Sequence, residues 1–156
     1  MDISSHTTRI ESSHEAAFPQ LKPEHYKKTS EIDPAYNCTA FALGDDSTQA
    51  WIDPTPGRHR TWPESVPRQS DMLTYIKLYE FYGFTVCADS SLEQGFEKIA
   101  LYSDQWNSFT HAARQREDGR WVSKLGAWED IEHASLECLA GESYGTAARY
   151  LKRPRS

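Results

Sequence analysis

Cys38 stands between Asn37 and the run Thr39-Ala40-Phe41-Ala42-Leu43-Gly44, which places a thiol at the start of a helix. Asn37 suits the cap that satisfies first-turn amides, Asp33-Pro34 suits the approach, and Gly44 closes the run after one or two turns. A thiol there feels the positive end of the helix dipole, which favours thiolate and makes Cys38 a candidate nucleophile. The plainer role for such a cysteine is that of a small apolar group in the core. A nucleophilic thiol also needs a base, distant in sequence and adjacent in space. His111, in Thr110-His111-Ala112-Ala113-Arg114, meets the first condition. Residues 109–114 read as the first strand of a hairpin that turns at Asp118-Gly119 and returns through 120–126, so Ser123 falls on the second strand. The chemistry expected of the pair is attack by Cys38 on a carbonyl while His111 takes the thiol proton. The Cys38 amide, helped by Asn37 or Gln20, would hold the oxyanion.

A cysteine at a helix start, a histidine on a later strand and a polar residue on the next strand is the order found in papain-like cysteine hydrolases. Through Asn37-Cys38, His111 and Ser123-Lys124-Leu125-Gly126 the chain resembles that superfamily, and especially its small NlpC-type and CHAP members, over residues 30–126. The resemblance implies a papain-like or NlpC-like fold. It implies cysteine-dependent hydrolysis or acyl transfer at an amide or ester bond of a peptide, a peptidoglycan fragment or a protein, with no cofactor. It further implies a third residue that orients the imidazole. Ser123, three residues before Gly126, occupies the place of papain's orienting asparagine; serine is a weaker partner than an amide or carboxylate, and Asp130 is the other candidate. The strings 95–102 and 130–133 are also similar to a family of small bacterial proteins of unknown function, which implies no activity.

The 156 residues fit one α+β domain over 18–156, after a Ser- and Thr-rich lead, residues 1–17, that reads as a mobile arm. Five Trp, eight Tyr and six Phe supply core bulk, offsetting a mean hydropathy of −0.73. A net charge of −6 argues against nucleic acid as a partner, since a phosphate footprint needs clustered Lys and Arg. Without an apolar stretch at the start or one of membrane-span length, no membrane partner is expected and the cytoplasm is the expected location. Cys38, Cys87 and Cys138 show no paired spacing, so reduced thiols are expected and no metal site is indicated.

A second helix is expected from a Ser70 cap through Met72, Leu73, Ile76, Tyr79 and Tyr82 to Gly83, and a third from Trp128-Glu129-Asp130 to Gly141, with His133 beside Glu129 on its face. Strands are expected over 84–87, with Cys87 buried, over 98–102, in the His111 hairpin, and over 144–151. Residues 50–67, with Trp51, Trp62 and four prolines, read as a long irregular loop that borders the Cys38 site and grips substrate, or that is anchored to the core by its tryptophans. Together these elements make an α+β fold with N-terminal helices on a mostly antiparallel sheet. A reading from another class is a non-catalytic protein-binding module that uses the 50–67 loop as its contact surface, because aromatic and arginine side chains anchor interfaces.

Overall fold

The computed structural model describes residues 9–44, 51–57 and 60–155. Along the chain run α1 (Ser12–Glu15), a 3-10 turn (Pro23–His25), β1 (Tyr26–Ser30), α2 (Cys38–Phe41), β2 (Trp51–Ile52), β3 (Arg60–Thr61) and α3 (Met72–Phe81). Then follow β4 (Thr85–Cys87), β5 (Phe96–Ser103), β6 (Phe109–Gln115), β7 (Trp121–Lys124), β8 (Asp130–His133), a second 3-10 turn (Leu136–Leu139) and β9 (Thr146–Pro154). Seven of the strands form one antiparallel sheet in the order β1-β8-β7-β6-β5-β9-β4.

The centre of β5 is buried on both faces, as a continuous apolar run requires. Ile99 and Leu101 turn to one face, where Ala112, Leu151, the α3 residues Met72, Tyr75, Leu78 and Tyr79, and Ala40 of α2 form a cluster. Ala100 and Tyr102 turn to the other, joining Ala113, Trp121 and Ile131 beneath Ile10, Phe18, Leu21 and the Leu136–Leu139 turn. The result is an α+β fold with a mostly antiparallel sheet and few helices. None of the described helices is long and apolar enough to cross a membrane.

Four expectations change. Residues 9–17, taken from composition as part of a mobile arm, are fastened to the second face. Ile10 is buried there, the His14 ring stacks on Trp128 at 3.7 Å, and Glu129 receives His14 Nδ1 at 2.7 Å and the Glu11 amide at 2.9 Å. A few anchoring side chains hold a segment whose average composition is polar.

The helix expected from Trp128 is instead β8, flanked by β1 and β7 with Ile131 opposite Ser123 and His133 opposite Trp121. Partners on both sides override the local preference of four residues, and His133 becomes a strand residue rather than a partner of Glu129 on a helix. The 50–67 segment contains a short parallel pair, Trp51 opposite Arg60 and Ile52 opposite Thr61; Ala50, Arg58 and His59 lie outside the described residues. Cys87, expected in the core, is half-buried.

Candidate functional site

The tip of α2 is built by local capping. Asn37 Oδ1 accepts the Ala40 amide at 3.1 Å and the Ile52 amide at 3.4 Å, and its Nδ2 donates to Ile52 O at 2.9 Å, which ties the helix start to β2. Phe41 packs with Tyr36 and Val122, seating the helix on the α3 face of the sheet. Asn37 is thereby a cap and a brace, and Gln20 is an exposed residue reaching Ala140 O at 3.4 Å. The groups that favour negative charge on the Cys38 sulfur are the backbone amides of Ala112, Cys38 and Thr39 and the Thr39 hydroxyl. Burial nevertheless dominates and pushes the thiol up. The expected thiolate is corrected to a resting thiol, since a four-residue helix contributes only a weak dipole and the site excludes water.

His111 lies on β6, directly across from Tyr102 on β5. Alternation sends Ala112 and Arg114 toward α2, with Arg114 over the Phe41 ring at 5.4 Å, and sends His111 and Ala113 to the other face. The ladder between β6 and β7 pairs Arg114 with Val122 and Gln115 with Trp121. Beyond it, Ser123 Oγ meets His111 Nε2 at 3.0 Å, a diagonal contact on one face. Ser123 Oγ also meets His133 Nε2 at 2.8 Å, and His133 Nδ1 meets Ser135 O at 2.9 Å. His111 Nδ1 is buried and has no hydrogen-bond partner among the described residues. Burial, aided by His133, holds the imidazole well below the ordinary histidine range.

Tyr144 covers His111, its ring stacked at 4.2 Å and 6°. It is presented by a turn whose ends, Gly141 and Gly145, exchange hydrogen bonds of 3.0 and 2.7 Å. Gly145 has φ +74, and a Cβ there would lie 1.9 Å from Ser103 O, so only glycine closes this turn. Burial, before a smaller contribution from Cys38, raises the Tyr144 phenol. The Ala112 amide beside the thiol is that of the residue next to His111. No hydrogen bond joins Cys38 to His111 among the described residues.

Asp130 does not reach the imidazole. Alternation on β8 gives Ile131 and His133 to the His111 face and Asp130 to the opposite one, where its Oδ2 accepts the Tyr36 hydroxyl at 2.6 Å. Lys124 Nζ lies 3.6 Å from the other carboxylate oxygen and 4.5 Å over the Tyr36 ring. Asp130 and Lys124 therefore brace the turn that leads into Cys38. Of the sequence-derived set, His111 and Ser123 are joined by a hydrogen bond, Cys38 lies by the Ala112 amide on the same strand without a hydrogen bond to either, and Asp130 is on the face away from the imidazole. His133, which the sequence places beside Glu129 on a helix, and Tyr144, which it does not single out, are the further side chains in contact with Ser123 and His111. The signals were His133 two residues after Ile131 in strand alternation, and an aromatic residue closing a Gly-x-x-Tyr-Gly turn.

Trp51 is half-buried, its Nε1–H donating to Pro34 O at 2.6 Å with the Arg60 guanidinium 5.9 Å from its ring centre. Trp62 is an anchor in the core, donating to Val66 O at 3.0 Å and Pro67 O at 3.2 Å and meeting Tyr75 edge-on. Trp62→Phe keeps the ring contacts and strands both carbonyls, so it should cost about 1–3 kcal/mol in chemical denaturation. An unchanged midpoint would mean that water replaces both bonds. Among the described residues no group of three or more His, Cys, Asp or Glu side chains is placed to hold a metal ion.

These features define an α+β domain with a buried thiol, Cys38, on a helix packed against the antiparallel sheet and a buried imidazole, His111, on the strand beneath it. The chain belongs to the family described as domain of unknown function DUF7689, matched over residues 27–152, a span that holds Cys38, His111, Ser123 and His133. No curated protein and no solved structure matches it.

Proposed function

We propose that this domain is a cysteine-dependent hydrolase or acyl transferase of papain-like type, acting on an amide or ester bond of a peptide, a peptidoglycan fragment or a protein. The observation that carries the reading is His111, with one ring nitrogen held by Ser123 and the other buried and unclaimed, on the strand against which the Cys38 helix packs. Catalysis starts from a neutral pair. When the helix tip and the imidazole close to hydrogen-bond distance, the Cys38 proton passes to His111 Nδ1 as sulfur bonds to the carbonyl carbon, and the amides beside the sulfur receive the oxyanion. Collapse breaks the scissile bond, the amine or alcohol leaves with the proton from His111, and a thioester remains on Cys38. Water, or an acceptor amine or alcohol, then attacks with His111 as base, releasing the acyl product and the thiol.

The experiment is acetylation by p-nitrophenyl acetate followed by peptide mass spectrometry. One acetyl group on Cys38, absent from Cys38→Ser, is the expected result. Acetyl transfer confined to the more accessible Cys87 would overturn the reading.

A second reading is a binding module centred on the 50–67 segment. It draws support from the half-buried Trp51 under Arg60 and from a depression of about 360 Å³ bordered by Pro54, Pro56 and Arg68. An inert Cys38 would favour it.

A further inference from the structure

We infer that His133 is a positioning residue: acting through the Ser123 hydroxyl, it fixes which nitrogen of His111 carries the proton and leaves His111 Nδ1 as a bare lone pair. The use of that lone pair in catalysis rests on the cysteine-hydrolase reading, whereas the bonding argument does not.

The chain of contacts has one end whose polarity is fixed. A backbone carbonyl only accepts, so the 2.9 Å contact between His133 Nδ1 and Ser135 O requires the proton on Nδ1. His133 is fully buried, which brings its imidazole down to about 4 against a favourable contribution from the Ser135 carbonyl, so at neutral pH the ring holds a single proton. That proton is the one on Nδ1, and Nε2 is a lone pair.

The 2.8 Å contact of Nε2 with Ser123 Oγ is then made by the hydroxyl donating. A serine has one proton to give, and with it spent, Ser123 Oγ can only accept at its 3.0 Å contact with His111. His111 therefore donates from Nε2. Being neutral itself, it has no proton at Nδ1, which agrees with the unpartnered state of that atom.

The two histidines carry opposite tautomers, Nδ1–H on His133 and Nε2–H on His111. Reversing the chain would require His133 to give up the Ser135 carbonyl or to take a second proton at zero exposure. Strand register holds the three side chains in line. Trp121 opposite His133 and Ser123 opposite Ile131 put Ser123 and His133 on one face, and the diagonal step to β6 brings in His111. An orienting carboxylate imposes the same tautomer through charge; here a neutral ring does so, leaving His111 a weaker base than a carboxylate-backed imidazole.

The test is long-range 1H–15N correlation spectroscopy of the uniformly labelled full chain at pH 7, with ring signals assigned from His111→Gln and His133→Gln. The wild type should show His111 as the Nε2–H tautomer and His133 as the Nδ1–H tautomer. In His133→Leu the Ser123 proton has lost its acceptor and turns toward His111, which should then populate the Nδ1–H form. His133→Gln, whose amide can both donate to Ser135 O and accept from Ser123, should restore the wild-type pattern. Acetylation of Cys38 should fall about 100-fold in His133→Leu, the lower end of what a positioned general base contributes, and recover in His133→Gln.

An Nδ1–H His111 in the wild type, or a His111 tautomer indifferent to His133→Leu, overturns the inference. Should His133→Leu fail to fold, the wild-type spectrum decides alone. Expected tautomers with an inert Cys38 would sink the hydrolase reading and leave the relay standing; acetylation with reversed tautomers would sink the relay alone.

Discussion

His111→Gln should slow acetylation of Cys38 by about 10²- to 10⁴-fold at neutral pH while the far-ultraviolet circular dichroism stays unchanged. Glutamine is the informative replacement. Its amide nitrogen can stand where Nε2 stands and keep donating to Ser123, whereas alanine would leave the Ser123 hydroxyl with an unfilled place and open a hole beneath the stacked Tyr144 ring. The amide cannot take a proton, so the substitution isolates basicity from packing. A second signature separates this role from a structural one. With His111 present, the reacting species is a neutral thiol beside a neutral imidazole, and the rate should be nearly flat across neutral pH. Without it, the reaction depends on the small thiolate fraction of a thiol raised by burial, and should rise about tenfold per pH unit. Equal rates and equal slopes in the two proteins would exclude His111 as the base.

What was legible in the sequence was local. The Asn37 cap was readable because a short polar side chain before an alanine-rich run has one obvious use, and its oxygen accepts from Ala40 as expected. The His111 hairpin was readable from Asp118-Gly119, where Gly119 has the φ of +89 that the turn needs. Helix α3 followed from apolar spacing and from Gly83 beyond its end.

The misread elements depend on distant partners. Asp130-Ile131-Glu132-His133 has too few residues to show a period, and its strand exists because Tyr26–Lys28 and Trp121–Lys124 lie on either side. The same non-locality explains the site. Order along the chain singled out His111 and Ser123, which the fold joins by a hydrogen bond, and Cys38, which it leaves without one to either. Burial is a property of the assembled fold, however, and it reverses the charge state that a helix-start argument assigns to Cys38. Strand alternation could have separated Asp130 from His133, but only once β8 was known to be a strand. The acid near a histidine was the chemically better orienting group on paper; the face it occupies decides the matter.

Acidification from pH 6.5 toward 4 should remove roughly 2–3 kcal/mol of stability through His133 alone, with His111 adding to it. The sign follows from proton counts. In the unfolded chain both imidazoles bind a proton as the pH falls through about 6.5, whereas burial keeps both neutral in the fold. The unfolded state then holds more protons, so stability rises with pH in this window and falls on acidification. The loss begins near 6.5 and, for His133, is complete near 4, where the folded ring also protonates. With both sites contributing, the slope approaches but stays below about 3 kcal/mol per pH unit.

Carboxylates do not imitate this. Glu15, held below the usual range by Arg9 and the Tyr26 hydroxyl against the cost of its burial, loses its contribution only at lower pH. Asp130, raised by burial, takes up its proton more readily in the fold and acts in the opposite direction. Urea denaturation at pH 7, 6 and 5 should show the slope, and it should be flatter in His111→Gln/His133→Gln, which has neither proton to refuse. A wild-type profile as flat as that of the double variant would mean that the two rings protonate freely within the fold. The bare lone pair at His111 Nδ1 and the acid lability have one cause: surroundings dry enough to keep an imidazole neutral are ones that a proton can enter only by opening them.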